Sequence, residues 1–186
     1  MAREHGPTPK PVTLAVRVTA VDHCAGPEHA PVTVVQYGDF ECPSCAAVEP
    51  AILHLRQMHG PGMCFVFRHF PLEDAHPHAL AAAEAAEAAA AQGKFWPMHD
   101  LLLANYQRLT PHHLEGYAGQ LGLDMARFKA ETKDEIYRQR VREHQSGGRL
   151  SHLRATPGLF VNGMVQDISG GPGGLYDLVA VELRKA

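Results

Sequence analysis

Two short runs of β-branched and aromatic residues, Val32–Tyr37 and Met63–Phe67, bracket a stretch whose apolar residues Val48, Ile52 and Leu55 recur at helical spacing. The stretch opens at Pro43 and ends at the Gly60-Pro61-Gly62 breaker. Strand, helix and strand joined by short links form a βαβ unit, whose right-handed crossover makes the two strands parallel. Such a unit commits the chain to an α/β fold with helices packed on a sheet.

The flanking segments extend this pattern. Residues 1–11 are polar and proline-rich and read as a loosely held arm. Val12–Thr19 alternate apolar and polar residues, the pattern of a half-buried strand near a sheet edge, and a loop with Gly26 and Pro27 follows. Helix formers dominate from about Ala75 to Leu150. An alanine-rich helix runs to Gln92, a second from Trp96 to Tyr106, shorter ones start near Pro111 and Asp124, and a charged helix spans Lys133–Gln145. Leu159–Val161, Asn162-Gly163 and Met164-Val165 then read as a tight hairpin. A glycine-rich loop leads to a last amphipathic helix, Leu175–Lys185. The organisation predicted is an arm (1–11), a first α/β part (12–72), a helical insertion (73–150) and a closing ββα part (151–186).

A chain of 186 residues is long enough to bury about 70 % of its unfolded surface, so it needs neither metal nor disulfide staples to fold. With 17 Lys and Arg against 20 Asp and Glu and no long basic run, neither nucleic acid nor an anionic membrane is expected as a partner. The longest apolar tract, Ala79–Ala91, is interrupted by Glu84 and Glu87 and reads as a soluble helix. Met1–Lys10 contains no apolar core of a secretory signal, which points to the cytoplasm, or to the periplasm or exterior had a leader been removed.

Cys42-Pro43-Ser44-Cys45 lies where the second strand ends and the helix begins, the edge at which open α/β sheets carry their reactive groups. Cys42 falls at the N-cap and Pro43 at the first helical position, where its missing N–H costs nothing. Unpaired N–H groups and the helix dipole favour an anion there, lowering the Cys42 thiol pKa and making it the nucleophile. Cys45, one turn on and within disulfide reach, is the resolving thiol. Structural zinc wants two such pairs, and the spacing C-x17-C-x2-C-x18-C through Cys24 and Cys64 does not supply them. Two inert cysteines would leave the proline and the strand-to-helix location as coincidence.

The stretches V-V-Q-Y-G-D-F-E-C-P-S-C, F-R-H-F-P-L, Q-G-K-F-W-P-M-H-D and T-P-G-L-F-V-N-G, in this order, resemble the DsbA-like branch of the thioredoxin superfamily over roughly residues 28–185. The resemblance implies a thioredoxin-like fold with an inserted α-helical domain and thiol–disulfide oxidoreduction on protein or peptide substrates, with an unidentified redox partner. No cofactor is expected, because the dithiol is itself the redox centre. Pro50 matches the family's kink proline, and Thr156-Pro157 matches its cis-proline loop, which faces the cysteines and presents backbone to a bound peptide. Two positions depart from the pattern. Gln36 stands where the superfamily usually places a buried acid that assists proton transfer to the resolving thiol, and Ser44 where the most oxidising members carry histidine. Asp39 and Glu41 add negative charge near Cys42, so a milder oxidant than DsbA is expected. Pro43, Ser44, Gln36 and, at the end of the third strand, His69 are the candidate tuning residues.

Thirteen histidines, His76, His78, His99 and the His112-His113 pair among them, supply no helical metal motif and read as solvent-facing or capping groups, so no metal ligand is assigned. Phe95, Trp96 and Met98 read as core of the insertion. Cys24 and Cys64 belong at the end of the sheet away from Cys42, as free thiols, although a second disulfide is geometrically open. Two other functions fit parts of the sequence: a redox-inactive peptide-binding or chaperone-like module, kept open by Gln36, and a glutathione-dependent transferase or isomerase, which normally relies on one catalytic Ser or Cys.

Overall fold

The computed structural model describes residues 12–171 and 173–185; the arm expected over residues 1–11 lies outside them. Strands β1 (His23–Ala25), β2 (Val32–Gly38), β3 (Met63–His69), β4 (Gly158–Val161) and β5 (Met164–Gln166) form one sheet in the order β1-β3-β2-β4-β5. β2 and β3 run parallel and the other neighbours antiparallel. Helix α1 (Pro43–His59) connects β2 to β3. Five helices, α2 (Ala79–Ala90), α3 (Phe95–Ala104), α4 (Pro111–Gln120), α5 (Met125–Lys133) and α6 (Arg138–Leu150), stand between β3 and β4, and α7 (Gly173–Lys185) closes the chain. Among the described residues no helix is long and apolar enough to cross a membrane.

Strand alternation divides the core into two layers. Val32, Val34, Phe65, Phe67, Leu159 and Val161 pack with Val48, Ile52 and Leu55 of α1, Val179 of α7 and the alanine face of α2. Val35, Tyr37, Val66 and Phe160 face the other side, where Phe70 and Leu153 cover them. Here α6 runs on to Leu150 rather than ending at Gln145 as its charge pattern suggests. Gly148 explains the continuation: a Cβ there would lie 2.6 Å from the Phe70 ring, so only glycine lets the last turn seat against it. The β4–β5 turn takes Asn162 and Gly163 at φ of 47° and 80°, as an Asn-Gly hairpin requires.

The strand expected over Val12–Thr19 does not form. One bridge, Thr13 to Met164, joins this segment to the sheet edge, and the first strand is instead His23–Ala25. The reason is buried Arg68. Its guanidinium takes the carbonyls of Val16 (2.8 Å) and Arg17 (2.9 Å), pulling that backbone off the ladder. The same group donates to both Asp22 carboxylate oxygens (2.8 and 3.0 Å) and to the Tyr37 hydroxyl (2.9 Å). Burial alone would raise the Asp22 carboxyl; the Arg68 hydrogen bond, the Thr19 N–H and the charge of Arg68 together outweigh it and hold that group below its ordinary value.

Cys24 and Cys64 are not free thiols but form a disulfide, with Cα atoms 5.8 Å apart. β1 lies antiparallel on β3 with Cys24 opposite Val66, which brings the two cysteines together at the end of the sheet where β2 begins.

Two stability measurements follow. Arg68→Met leaves Asp22 buried without its partner and lowers unfolding free energy by about 3–5 kcal/mol in urea titrations. The Cys24→Ser/Cys64→Ser variant loses the link across a separation of 40 residues, worth about 4 kcal/mol on the loop-entropy scale. The loss appears as a lower urea midpoint under non-reducing conditions.

Candidate active site

Cys42 caps α1 in extended conformation, with Pro43 at the first helical position. Both thiols are buried, Cys42 at 6 % exposure and Cys45 at 0 %, while Pro43 and Ser44 are exposed above them. The Cys42 thiol lies 3.6 Å from the carbonyl oxygen of Thr156, and the Thr156–Pro157 peptide bond is cis. The loop before β4 thus presents the Thr156 carbonyl to the Cys42 sulfur across 114 residues of sequence.

The two sulfurs are electrically unlike. A hydrogen bond from Cys45 is the largest influence on Cys42; burial opposes it, but Thr156 and the N–H groups of Cys45 and Ser44 assist, and the pKa falls to about 5. These amides are the unpaired donors of the first helical turn, aimed at an anion. Burial, followed by the hydrogen bond and charge of Cys42, pushes the Cys45 thiol well above the ordinary range. At neutral pH one sulfur is a thiolate and the other a thiol.

Asp39 and Glu41 do not act as the bare negative charges expected from the sequence. Asp39 Oδ2 accepts from Leu72 N (2.9 Å) and sits 2.7 Å from His76 Nδ1, while Oδ1 accepts from Glu41 N (2.8 Å). Glu41 holds the backbone N–H of His78 at 2.6 Å and its ring Nδ1 at 2.8 Å. The segment between β3 and α2 thus covers each carboxylate with one histidine. Beside it, loops 70–74 and 152–154 enclose a cavity of about 600 Å³, lined by Leu72, Asp74, Arg149 and Arg154 among others.

Residues 19–175 match the sequence pattern of the family described as Thioredoxin. The chain belongs to that family. Its fold is DsbA-like: it superposes on oxidised BdbD from Bacillus subtilis with a TM-score of 0.79 at 23 % identity, covering 88 % of this chain and 93 % of BdbD. It also superposes on the thiol-disulfide exchange protein α-DsbA2 from Wolbachia pipientis with a TM-score of 0.74 at 20 % identity, covering 87 % of each. In sequence it is 51 % identical over 142 residues to a Na(+)/H(+) antiporter NhaA 1 of Salinispora arenicola, a match covering 76 % of this chain and only 22 % of that relative.

In this thioredoxin-family chain Gln36 is fully buried on β2, and neither end of its amide has a hydrogen-bond partner among the described residues. An ionisable group that sequence reasoning passed over lies one helical turn beyond Cys45: Glu49, whose Oε2 is buried without a partner. Burial, with Asp100 nearby, pushes its carboxyl up to about 8 against the opposing charge of Arg56. Its signal in the sequence was an acid at i+4 from a cysteine on a helix otherwise apolar on that face.

His69 is bonded into a buried cluster that contains neither thiol. Its ring Nε2 lies 2.8 Å from Glu87 Oε1, to which His23 Nε2 also points at 2.9 Å, and Arg140 Nε sits 2.9 Å from the other oxygen. This cluster ties α2 to β1, β3 and α6. His23 is not the solvent-facing group expected of the histidines at large, because α2 carries a carboxylate into the core that His23 and His69 satisfy. Donor atoms of His69, Glu87 and His144 lie within 4.8 Å of one another, as do those of Glu49, His99 and Asp100. Arg140 already balances the first set, and Arg56 stands 3.8 Å from Asp100 of the second.

Alkylation of the reduced protein tests the asymmetry. The Cys42 rate rises as pH climbs through about 5 and levels off above it, because the depressed pKa leaves a full population of thiolate from there upward. Cys45 stays unmodified through neutral pH; equal labelling of both sulfurs at pH 7 contradicts the assignment.

Proposed function

We propose that this chain is a thiol–disulfide oxidoreductase acting on protein or peptide substrates through the Cys42-Pro43-Ser44-Cys45 pair. The observation that carries the reading is the placement of Cys42 at the N-terminus of α1, its sulfur 3.6 Å from the Thr156 carbonyl, with the buried Cys45 one turn on. The BdbD and α-DsbA2 likenesses, at these identities, support the fold on which such chemistry runs.

In the oxidised enzyme a substrate thiolate attacks the Cys42 sulfur of the Cys42–Cys45 disulfide. A mixed disulfide forms, and Cys45 leaves as a thiolate that takes one proton. A second substrate thiolate attacks the substrate sulfur of that bond and expels Cys42 as the thiolate stabilised at the helix N-terminus. The substrate loses two electrons and the enzyme pair gains them; the reverse sequence reduces a substrate disulfide. Thr156 and Pro157 dock the substrate backbone by strand addition, and the cavity beside Leu72 and Arg154 receives the flanking residues.

Buried Gln36 favours a second reading, a peptide-binding module without turnover, since it cannot ionise to serve Cys45. The ion transport in the NhaA relatives' name is not carried over, because the matched part is under a quarter of that relative. The Cys24–Cys64 disulfide supports an oxidising compartment over the cytoplasm that the N-terminal composition suggests.

Equilibration in glutathione buffers, read by the mass of the alkylated protein, decides between the two functions. Turnover gives a potential between roughly −120 and −270 mV, is abolished by Cys42→Ala, and leaves a stable mixed disulfide on Cys42 in Cys45→Ser. A pair that never cycles leaves the binding module.

A further inference from the structure

The segment that carries Cys42 holds two carboxylates, Asp39 and Glu41, and the Cys-Pro-Ser-Cys motif contains no cation. Negative charges so close disfavour a thiolate. Each carboxylate is bonded by one histidine, yet the two pairs differ in what they reach. Asp39 touches both redox residues: its carbonyl accepts the Cys42 N–H at 3.2 Å and its own N–H points to the Cys45 sulfur at 3.5 Å. Its carboxylate is fully buried, whereas the His76 side chain bonded to it keeps 18 % exposure. That carboxylate is shut off from water, whereas the partly exposed imidazole against it can exchange its proton with solvent.

We propose that His76 is a positioning residue: held on Asp39, it supplies the positive charge that offsets the carboxylates beside the Cys42 thiolate, and its titration sets the redox poise of the Cys42–Cys45 pair. This rests on the exchange function above. The charged groups acting on His76 are Asp39, Cys42 and Glu41, all on the segment joining β2 to α1; His78, on its own segment, is engaged by Glu41. Burial opposes protonation of His76, but the hydrogen bond and charge of Asp39, helped by Cys42 and Glu41, raise it above the ordinary imidazole value.

The sign follows from the proton count. Reduction of the disulfide takes up two electrons and one proton and yields a Cys42 thiolate and a Cys45 thiol. While His76 is protonated the thiolate is offset, the reduced form is favoured, and the pair is a stronger oxidant. As pH rises through the His76 pKa, the charge is lost, the thiolate is less stable, and the pair becomes more reducing than thiol ionisation alone dictates.

Coupling of this kind is reciprocal, so it is measured from both ends in the full chain. His76 is titrated by NMR in the reduced wild type and in Cys42→Ala, and the Cys42 alkylation midpoint is measured in wild type and His76→Gln. Removing the thiolate lowers the His76 pKa by about one unit, and removing the imidazole raises the Cys42 midpoint by about the same. That is tenfold in thiolate stability, or about 30 mV toward the reducing side for a two-electron couple. A His76 titration identical in wild type and Cys42→Ala overturns the proposal, including where His76→Gln does not fold. Both shifts in a pair that fails to cycle in glutathione overturn the exchange function and leave the coupling standing; cycling without either shift does the reverse.

Discussion

The parallel register of β2 on β3 is the constraint on which the rest of the site depends. Gly38 lies opposite His69, and the next amide, Phe70 N, donates to the Gly38 carbonyl at 2.7 Å. Both chains therefore leave the sheet side by side. One turns through Asp39 into α1 and sets Cys42 at the helix N-terminus; the other turns through Leu72 and returns as the segment carrying His76 and His78. A shift of one residue would turn Val34 and Phe65 out of the core layer and separate Leu72 from Asp39. The antiparallel pairing of β4 on β2 then delivers Thr156 and Pro157 to the same edge from the far end of the sequence.

Two buried charged groups, Arg68 and Glu87, each enter this core with a set of partners. Arg68 carries Asp22 and Tyr37, and Glu87 carries His23, His69 and Arg140. Each set joins segments that apolar packing alone would leave free to slide. Arg68 fastens the stretch before β1 beneath the sheet, and Glu87 fastens the long helix α2 to the strand ends. The stabilisation is conditional, because removing one member leaves the others buried and uncompensated. The active-site edge uses the same device in a thinner form: there the histidines reach solvent, and the charge balance can change with pH.

Most of the architecture was legible because it rests on periodicity. The β2–α1–β3 unit, the Asn162-Gly163 hairpin and the helical stretch between β3 and β4 are local patterns that tertiary contacts reinforce. The segment Val12–Thr19 failed because its alternation competes with a buried guanidinium that takes its carbonyls from 51 and 52 residues away in sequence, which no local pattern registers. The end of α6 was misread because the charged pattern stops at Gln145, while the fit of Gly148 against Phe70 that carries the helix on is a tertiary contact. At the site, the cysteines and Thr156-Pro157 were named from motifs, whereas the pairing of Asp39 with His76 was not. Carboxylates three residues and one residue before a thiol read as a charge penalty until the chain's return past them is known. Glu49 stayed hidden for the same reason, since its burial depends on how α3 packs against α1.

The Cys24–Cys64 disulfide occupies the opposite end of the strands from Cys42. Cys64 stands level with Thr33 at the start of β2, and the seven residues of that strand span about 20 Å before the chain reaches the active-site turn. Sulfurs exchange only when their backbones come within about 7 Å. The folded molecule thus keeps two sulfur pairs in separate compartments of one sheet. Distance alone bars the Cys42 sulfur from attacking the protein's own staple.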